Sequence, residues 1–103
     1  MGAYMDNRAV GIFDSGVGGL TAVRALRALL PGEDILYFAD TAHVPYGKRS
    51  AAELRELSAA AAGLLRSRGV KAILVACGTA SSEGMDAVRE AGLPCCGVVR
   101  AAA

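Results

Sequence analysis

Four short apolar runs, each parted from the next by a stretch with helical spacing, leave this chain few folds to adopt. The runs are Ala9–Phe13 (AVGIF), Ile35–Ala39 (ILYFA), Val70–Ala76 (VKAILVA) and Cys96–Val99 (CGVV). They lack the polar alternation of a half-exposed strand, so each reads as a strand covered on both faces. After the first run, Leu20, Val23, Leu26 and Leu30 recur on one helical face, and Pro31-Gly32 ends it. Ser50-Ala-Ala-Glu53 is a capping box. The helix it opens carries Leu54, Leu57, Ala61, Leu64 and Leu65 on one side, with Arg66 and Arg68 in its last turn and Gly69 just beyond. Thr79 or Ser81 is predicted to cap a third helix reaching about Ala91, stopped by Gly92 and Pro94. Strand and helix in alternation predict an α/β fold, a parallel sheet with helices on both faces and right-handed crossovers.

The 103 residues hold one domain. Hydrophobic residues make up 53% and charged residues 20%, which excludes disorder as the main description. A net charge of +1 offers no footprint for nucleic acid or an anionic membrane. Apolar stretches break well short of the roughly 18–20 residues of a membrane span. The start, Met1 to Arg8, is polar, and the three cysteines are odd in number with two adjacent, Cys95 and Cys96. A secreted disulfide framework is thereby disfavoured, and a cytoplasmic protein is expected. There is no C-x-x-C pair and one histidine, His43, so no metal is expected.

In open parallel sheets ligands bind beyond the carboxyl ends of the strands. Three segments meet there: Asp14–Gly19, Asp40–Gly47 and Cys77–Ser82. The first, DSGVGG, lacks the third glycine of a dinucleotide fingerprint, since Thr21 stands in its place, and it has no phosphate-loop lysine. It is either a tight turn capped by Asp14 or Ser15, or a cradle whose N–H groups bind an anionic group such as a carboxylate. The second holds Pro45, Tyr46 and Gly47, a turn with an aromatic polar tip; His43 reads as a surface or supporting residue. Cys77 lies between the strand Ile73–Ala76 and the start of a helix. A helix N-terminus favours a thiolate, whereas an unpaired cysteine is often a small buried hydrophobe, and both readings stay open. A phosphate-binding cysteine loop would need arginine where Glu83 stands. Cys95 and Cys96 enter a strand and read as core.

Taken together, GIFDSGVGGLT (residues 11–21), YFADT (37–41), VPYGKRS (44–50) and ACGTA (76–80) resemble the glutamate racemases of the aspartate/glutamate racemase family. The resemblance runs from Ala9 to Val99. It implies cofactor-independent interconversion of L- and D-glutamate, supplying D-glutamate for peptidoglycan. In that family two cysteines face opposite sides of the substrate α-carbon, one removing the α-proton and the other returning a proton. The resemblance makes Cys77 the first catalytic cysteine. Asp14 and Ser15 would hold substrate and orient the thiol, Tyr46 and Gly47 would hold a substrate carboxylate, and Gly78 and Thr79 its polar groups.

Two departures stand out. The family most often has asparagine where this chain has Gly78, and its members are more than twice as long. The chain is therefore expected to be the N-terminal catalytic half of a two-domain racemase, one Rossmann-like or flavodoxin-like α/β unit over residues 1–103. The tail Arg100-Ala-Ala-Ala103 carries no stop signal. The expected partner is a small-molecule substrate, with no nucleic acid and no membrane, and a homo-oligomer is left open. Two other readings remain: a racemase for aspartate or another amino acid, and a non-catalytic α/β module for an acidic metabolite or a partner protein. A dinucleotide-binding domain is opposed by the broken glycine pattern.

Overall fold

The apolar runs do become strands. In a computed structural model describing residues 8–15, 19–43 and 46–97, β1 (Val10–Asp14), β2 (Ile35–Ala39), β3 (Ala72–Val75) and β4 (Cys95–Gly97) form one parallel sheet in the order β2-β1-β3-β4. The register pairs Ile12 with Tyr37 on one side and with Leu74 on the other, and Leu74 in turn with Cys96. The expected fourth run, Cys96–Val99, is shifted toward Cys95, and its Val98 and Val99 lie outside the described residues, as does the tail.

Among the described residues four helices connect the strands: α1 (Gly19–Leu29), α2 (Ala51–Ser67), α3 (Gly78–Glu83) and α4 (Met85–Arg89). The chain steps from central β1 to β2, then reverses to β3 and on to β4. With right-handed crossovers, that reversal puts α1 on one face of the sheet and α2, α3 and α4 on the other. The contacts agree: α1 packs along β1 and β2, while α2 packs against α3 and α4.

The α2 face carries the main core. Phe13, Val75, Ile73, Leu54, Ala61, Leu65, Val70 and Val88 are buried there together. Gly11 lets α2 approach, since a Cβ would sit 3.2 Å from both methyl groups of Val70 and 3.3 Å from Leu65. The capping box forms as expected: the Glu53 N–H donates to Ser50 Oγ and the Ser50 N–H to Glu53 Oε1, both at 3.2 Å. The Ser50 backbone N–H, with its hydroxyl, holds the Glu53 carboxyl below the usual carboxylate range. Gly69 takes the positive φ of +80° that ends the helix.

Four expectations are corrected. The third helix is not one helix. It breaks at Gly84, where α2 comes so close that a Cβ would fall 2.8 Å from the Cβ of Ser58. Its N-cap is Cys77 rather than Thr79 or Ser81, and the Cys77 side chain makes no capping hydrogen bond. Leu64 faces outward, and Leu20 and Leu30 are exposed on or beside α1. Cys96 is also exposed. Pleat alternation points it to the α1 face, where α1 packs mainly along β1 and β2.

Candidate functional site at the carboxyl ends of β1, β2 and β3

The strand order makes the gap between β1 and β3 the switch point of the sheet, where connections leave toward opposite faces. Backbone bonds gather the three segments there. The Ala76 N–H donates to the Phe13 carbonyl at 2.8 Å, and the Asp40 N–H donates to the Asp14 carbonyl at 2.8 Å. Asp14 therefore ends the central strand with the start of the Asp40 loop on one side and the approach to Cys77 on the other.

Asp14 is fully buried and Ser15 nearly so. Tyr37, one strand over, donates its hydroxyl to Asp14 Oδ2 at 3.0 Å. Burial, reinforced by that bond and by the Asp14 charge, pushes the Tyr37 phenol up to about 12. The glycines that follow, Gly16 and Gly18 with Val17 between them, lie outside the described residues, so the proposed anion cradle does too.

Cys77 is 7% exposed and extended at the N-cap of α3, with φ −85° and ψ 123°. Its carbonyl accepts the Ser81 N–H at 2.8 Å. The thiol packs in the cluster that holds Phe13, Val75, Ala80 and Tyr46. Gly78 and Thr79 form the first turn of α3, Gly78 exposed and Thr79 half-buried. A Cβ at Gly78 would meet nothing within 4 Å. Packing around a Cβ therefore does not dictate glycine at that position.

The Asp40 loop winds into two 3-10 turns, Thr41–His43 and Tyr46–Lys48. Val44 and Pro45, between them, are outside the described residues. Tyr46 is buried, its ring tilted against Phe13 with centroids 6.1 Å apart. Its hydroxyl donates to Asp40 Oδ2 at 2.6 Å. Burial first, then that bond and the nearby charges of Asp40 and Cys77, push the Tyr46 phenol far above its usual range. Asp40 also holds His43, whose Nδ1 is 2.6 Å from Oδ1. Gly47 is exposed, with open space around it.

Every named site residue, Asp14, Ser15, Tyr46, Gly47, Cys77, Gly78 and Thr79, thus lies at one end of the sheet. Tyr37 and Asp40 were missed as site residues. Asp40 closes the strand Ile35–Ala39 and precedes a histidine by three and a tyrosine by six residues, a spacing that marks a candidate. Tyr37 had no such signal, because only the strand register brings it to Asp14. Among the described residues no group of three or more metal-ligating side chains gathers, and no helix is long and apolar enough to cross a membrane.

Both tyrosines keep their protons in the folded state. A phenol value raised from 10.0 to about 12, as at Tyr37, contributes stability that is fully present below pH 10 and is lost as pH rises toward 12. Tyr46 is shifted in the same direction. The denaturation midpoint is therefore expected to fall across that window, in step with phenolate absorbance. A flat midpoint would contradict both couplings.

No family model matches the chain. Individual proteins do. The chain is 54% identical over 95 residues to the glutamate racemase of Thermus thermophilus, covering 91% of this chain and 37% of that protein. It is 53% identical over 93 residues to the glutamate racemase of Deinococcus radiodurans, covering 89% of this chain and 32% of that one. The crystal structure of glutamate racemase from Francisella tularensis in complex with D-glutamate superposes with a TM-score of 0.89 at 45% identity, over 94% of this chain and 38% of that one. The chain spans about a third of the length of these relatives. Over nine-tenths of its own length it is homologous to the glutamate racemases, with their α/β fold.

Proposed function

We propose that this chain forms one wall of the active site of a cytoplasmic enzyme that interconverts L- and D-glutamate without a cofactor, providing D-glutamate for peptidoglycan. One observation supports the reading: in a chain with these relatives, β1 and β3 are neighbours at the switch point of the sheet, so the strand ends that lead to Asp14 and to Cys77 lie side by side. The residues divide the work as follows. Cys77, as thiolate, takes the α-proton from one face of glutamate. Thiols titrate near neutrality, so the transfer runs in both directions. Asp14 and Ser15 orient the thiol and hold the substrate. The turn at Tyr46 and Gly47 receives a carboxylate, and Gly78 and Thr79 its other polar groups. An α-proton beside a carboxylate is weakly acidic, so the carbanion-like state depends on such aimed dipoles. Burial of Cys77 keeps bulk water from the base.

Inversion also needs a proton donor on the opposite face of the α-carbon. Cys95 pairs with Ile73 and Cys96 with Leu74, four and three residues before Cys77 in β3. At roughly 3.3 Å per residue each sits about 10–13 Å down the sheet, too far to share one carbon with Cys77. The second carrier is therefore assigned to the part of the relatives' length that these 103 residues do not span.

The purified 103-residue chain is accordingly expected to leave the optical rotation of L-glutamate unchanged. Racemisation by the chain alone would overturn the two-carrier reading. A binding module without catalysis is separated by the thiol itself: alkylation of Cys77 at neutral pH that glutamate slows supports the enzyme, and an inert thiol supports the module.

A further inference from the structure

The geometry points to Asp40 as the positioning residue of this site: by accepting the Tyr46 hydroxyl and the His43 ring together, it fixes the turn Tyr46–Lys48 against the sheet beside Cys77. That the turn serves glutamate rests on the racemase reading above; the positioning itself does not.

Asp40 is 8% exposed, and each of its oxygens has one partner at 2.6 Å. A carboxylate only accepts, so Tyr46 contributes its O–H and His43 an Nδ1–H. Such charge-assisted bonds are short and strong. The backbone of Asp40 is fixed as well, its N–H on the Asp14 carbonyl and its carbonyl accepting the His43 N–H at 3.3 Å. The carboxylate is thus anchored to β1, and what it holds inherits that position.

The hydroxyl of Tyr46 has consequently spent its proton on Asp40. The phenol is not free to donate to a bound carboxylate. What the turn can offer a ligand is its backbone, above all at exposed Gly47. Asp40 places that backbone by pinning the side chain of the preceding residue. The outer side of the loop is tied down too. Arg49 Nε donates to the His43 carbonyl at 2.7 Å, while its Nη1 meets Glu53 Oε2 at 3.2 Å in the first turn of α2. Asp40 is the link joining β1, both 3-10 turns and, through His43 and Arg49, the start of α2.

Amide exchange in the chain, with and without Asp40→Ala, Tyr46→Phe and Asp40→Asn, tests this. The Arg49 N–H, bonded to the Tyr46 carbonyl at 3.1 Å, reports closure of the turn; the Ala76 and Ile73 N–H groups, bonded to Phe13 and Pro94, report the sheet. In Asp40→Ala and Tyr46→Phe the Arg49 amide is expected to exchange at least ~10-fold faster with the sheet amides unchanged. Asp40→Asn, which keeps an oxygen for the Tyr46 hydroxyl, is expected to restore most of the protection. Unchanged exchange at Arg49, or a rise spread evenly over the sheet, overturns the proposal, and if Asp40→Ala does not fold, Tyr46→Phe decides. Glutamate protection of Cys77 from alkylation is the second readout. A half-protecting concentration at least ~10-fold higher in Asp40→Ala and Tyr46→Phe supports the proposal, and parent-like protection in both overturns it. A parent chain that glutamate does not protect sinks the ligand reading alone, and the exchange data still decide whether Asp40 sets the turn.

Discussion

Grafted in place of the matching third of the Thermus thermophilus racemase, this chain is expected to support racemisation of glutamate, and Cys77→Ser in the graft is expected to abolish it. The graft is reasonable because 54% identity over 95 residues leaves the two stretches interchangeable in outline. The loss should be on the order of 10³-fold or more, since a hydroxyl is far less acidic than a thiol and cannot stand ready as a base near neutral pH. The stronger test is asymmetry. A base on one face removes the proton from one enantiomer only, and the opposite carrier still serves the other. Deuterium wash-in should therefore vanish for one enantiomer and persist for its mirror image. Equal losses from both would show that Cys77 does not own a face.

The location of that cysteine was legible from local pattern. A strand followed by a small-residue helix start puts residue 77 at a strand end whatever the rest of the sheet does. Local chemistry also gave the capping box, because Ser50 and Glu53 need only each other and one turn of backbone. Non-local facts were not legible. The break at Gly84 arises where Ser58, twenty-six residues earlier, presses on the backbone, and no spacing within residues 79–91 announces it. The exposure of Cys96, Leu20 and Leu64 follows from which faces the helices cover, which a hydrophobic run cannot show. The Tyr37–Asp14 bond depends on register, which pairs Tyr37 with Ile12 and so sets the phenol on the same face as Asp14, two residues on. The Tyr46–Asp40 bond stands between these cases. Its partners are close in sequence, yet the phenol turns inward only because Phe13 offers a ring to pack on.

That ring is the largest packing commitment beneath the site, and Phe13→Ala should show it. Phe13 is fully buried one residue before the end of β1 and paired in register with Phe38 and Val75. Its ring lies 6.1 Å from Phe38, nearly parallel at 23°, and 6.1 Å from Tyr46, tilted at 55°. Truncation removes the transfer energy of the ring and leaves a void that a central strand, bonded on both sides, cannot collapse to fill. The expected loss is about 3–5 kcal/mol in chemical denaturation. A domain of this kind has roughly 5–15 kcal/mol in total, so the variant should sit near the edge of folding. Leu29→Ala is the control: at 78% exposure it should change stability by no more than about 0.5 kcal/mol. The two sites also differ in what they carry with them. Emptying the space under Tyr46 frees its ring while Asp40 still holds the hydroxyl, so alkylation of Cys77 should quicken in the folded fraction of Phe13→Ala and stay at the parent rate in Leu29→Ala. A Phe13→Ala loss below about 1 kcal/mol would mean that the sheet and α2 do not depend on this contact, and that the site rests on the backbone bonds between strands instead.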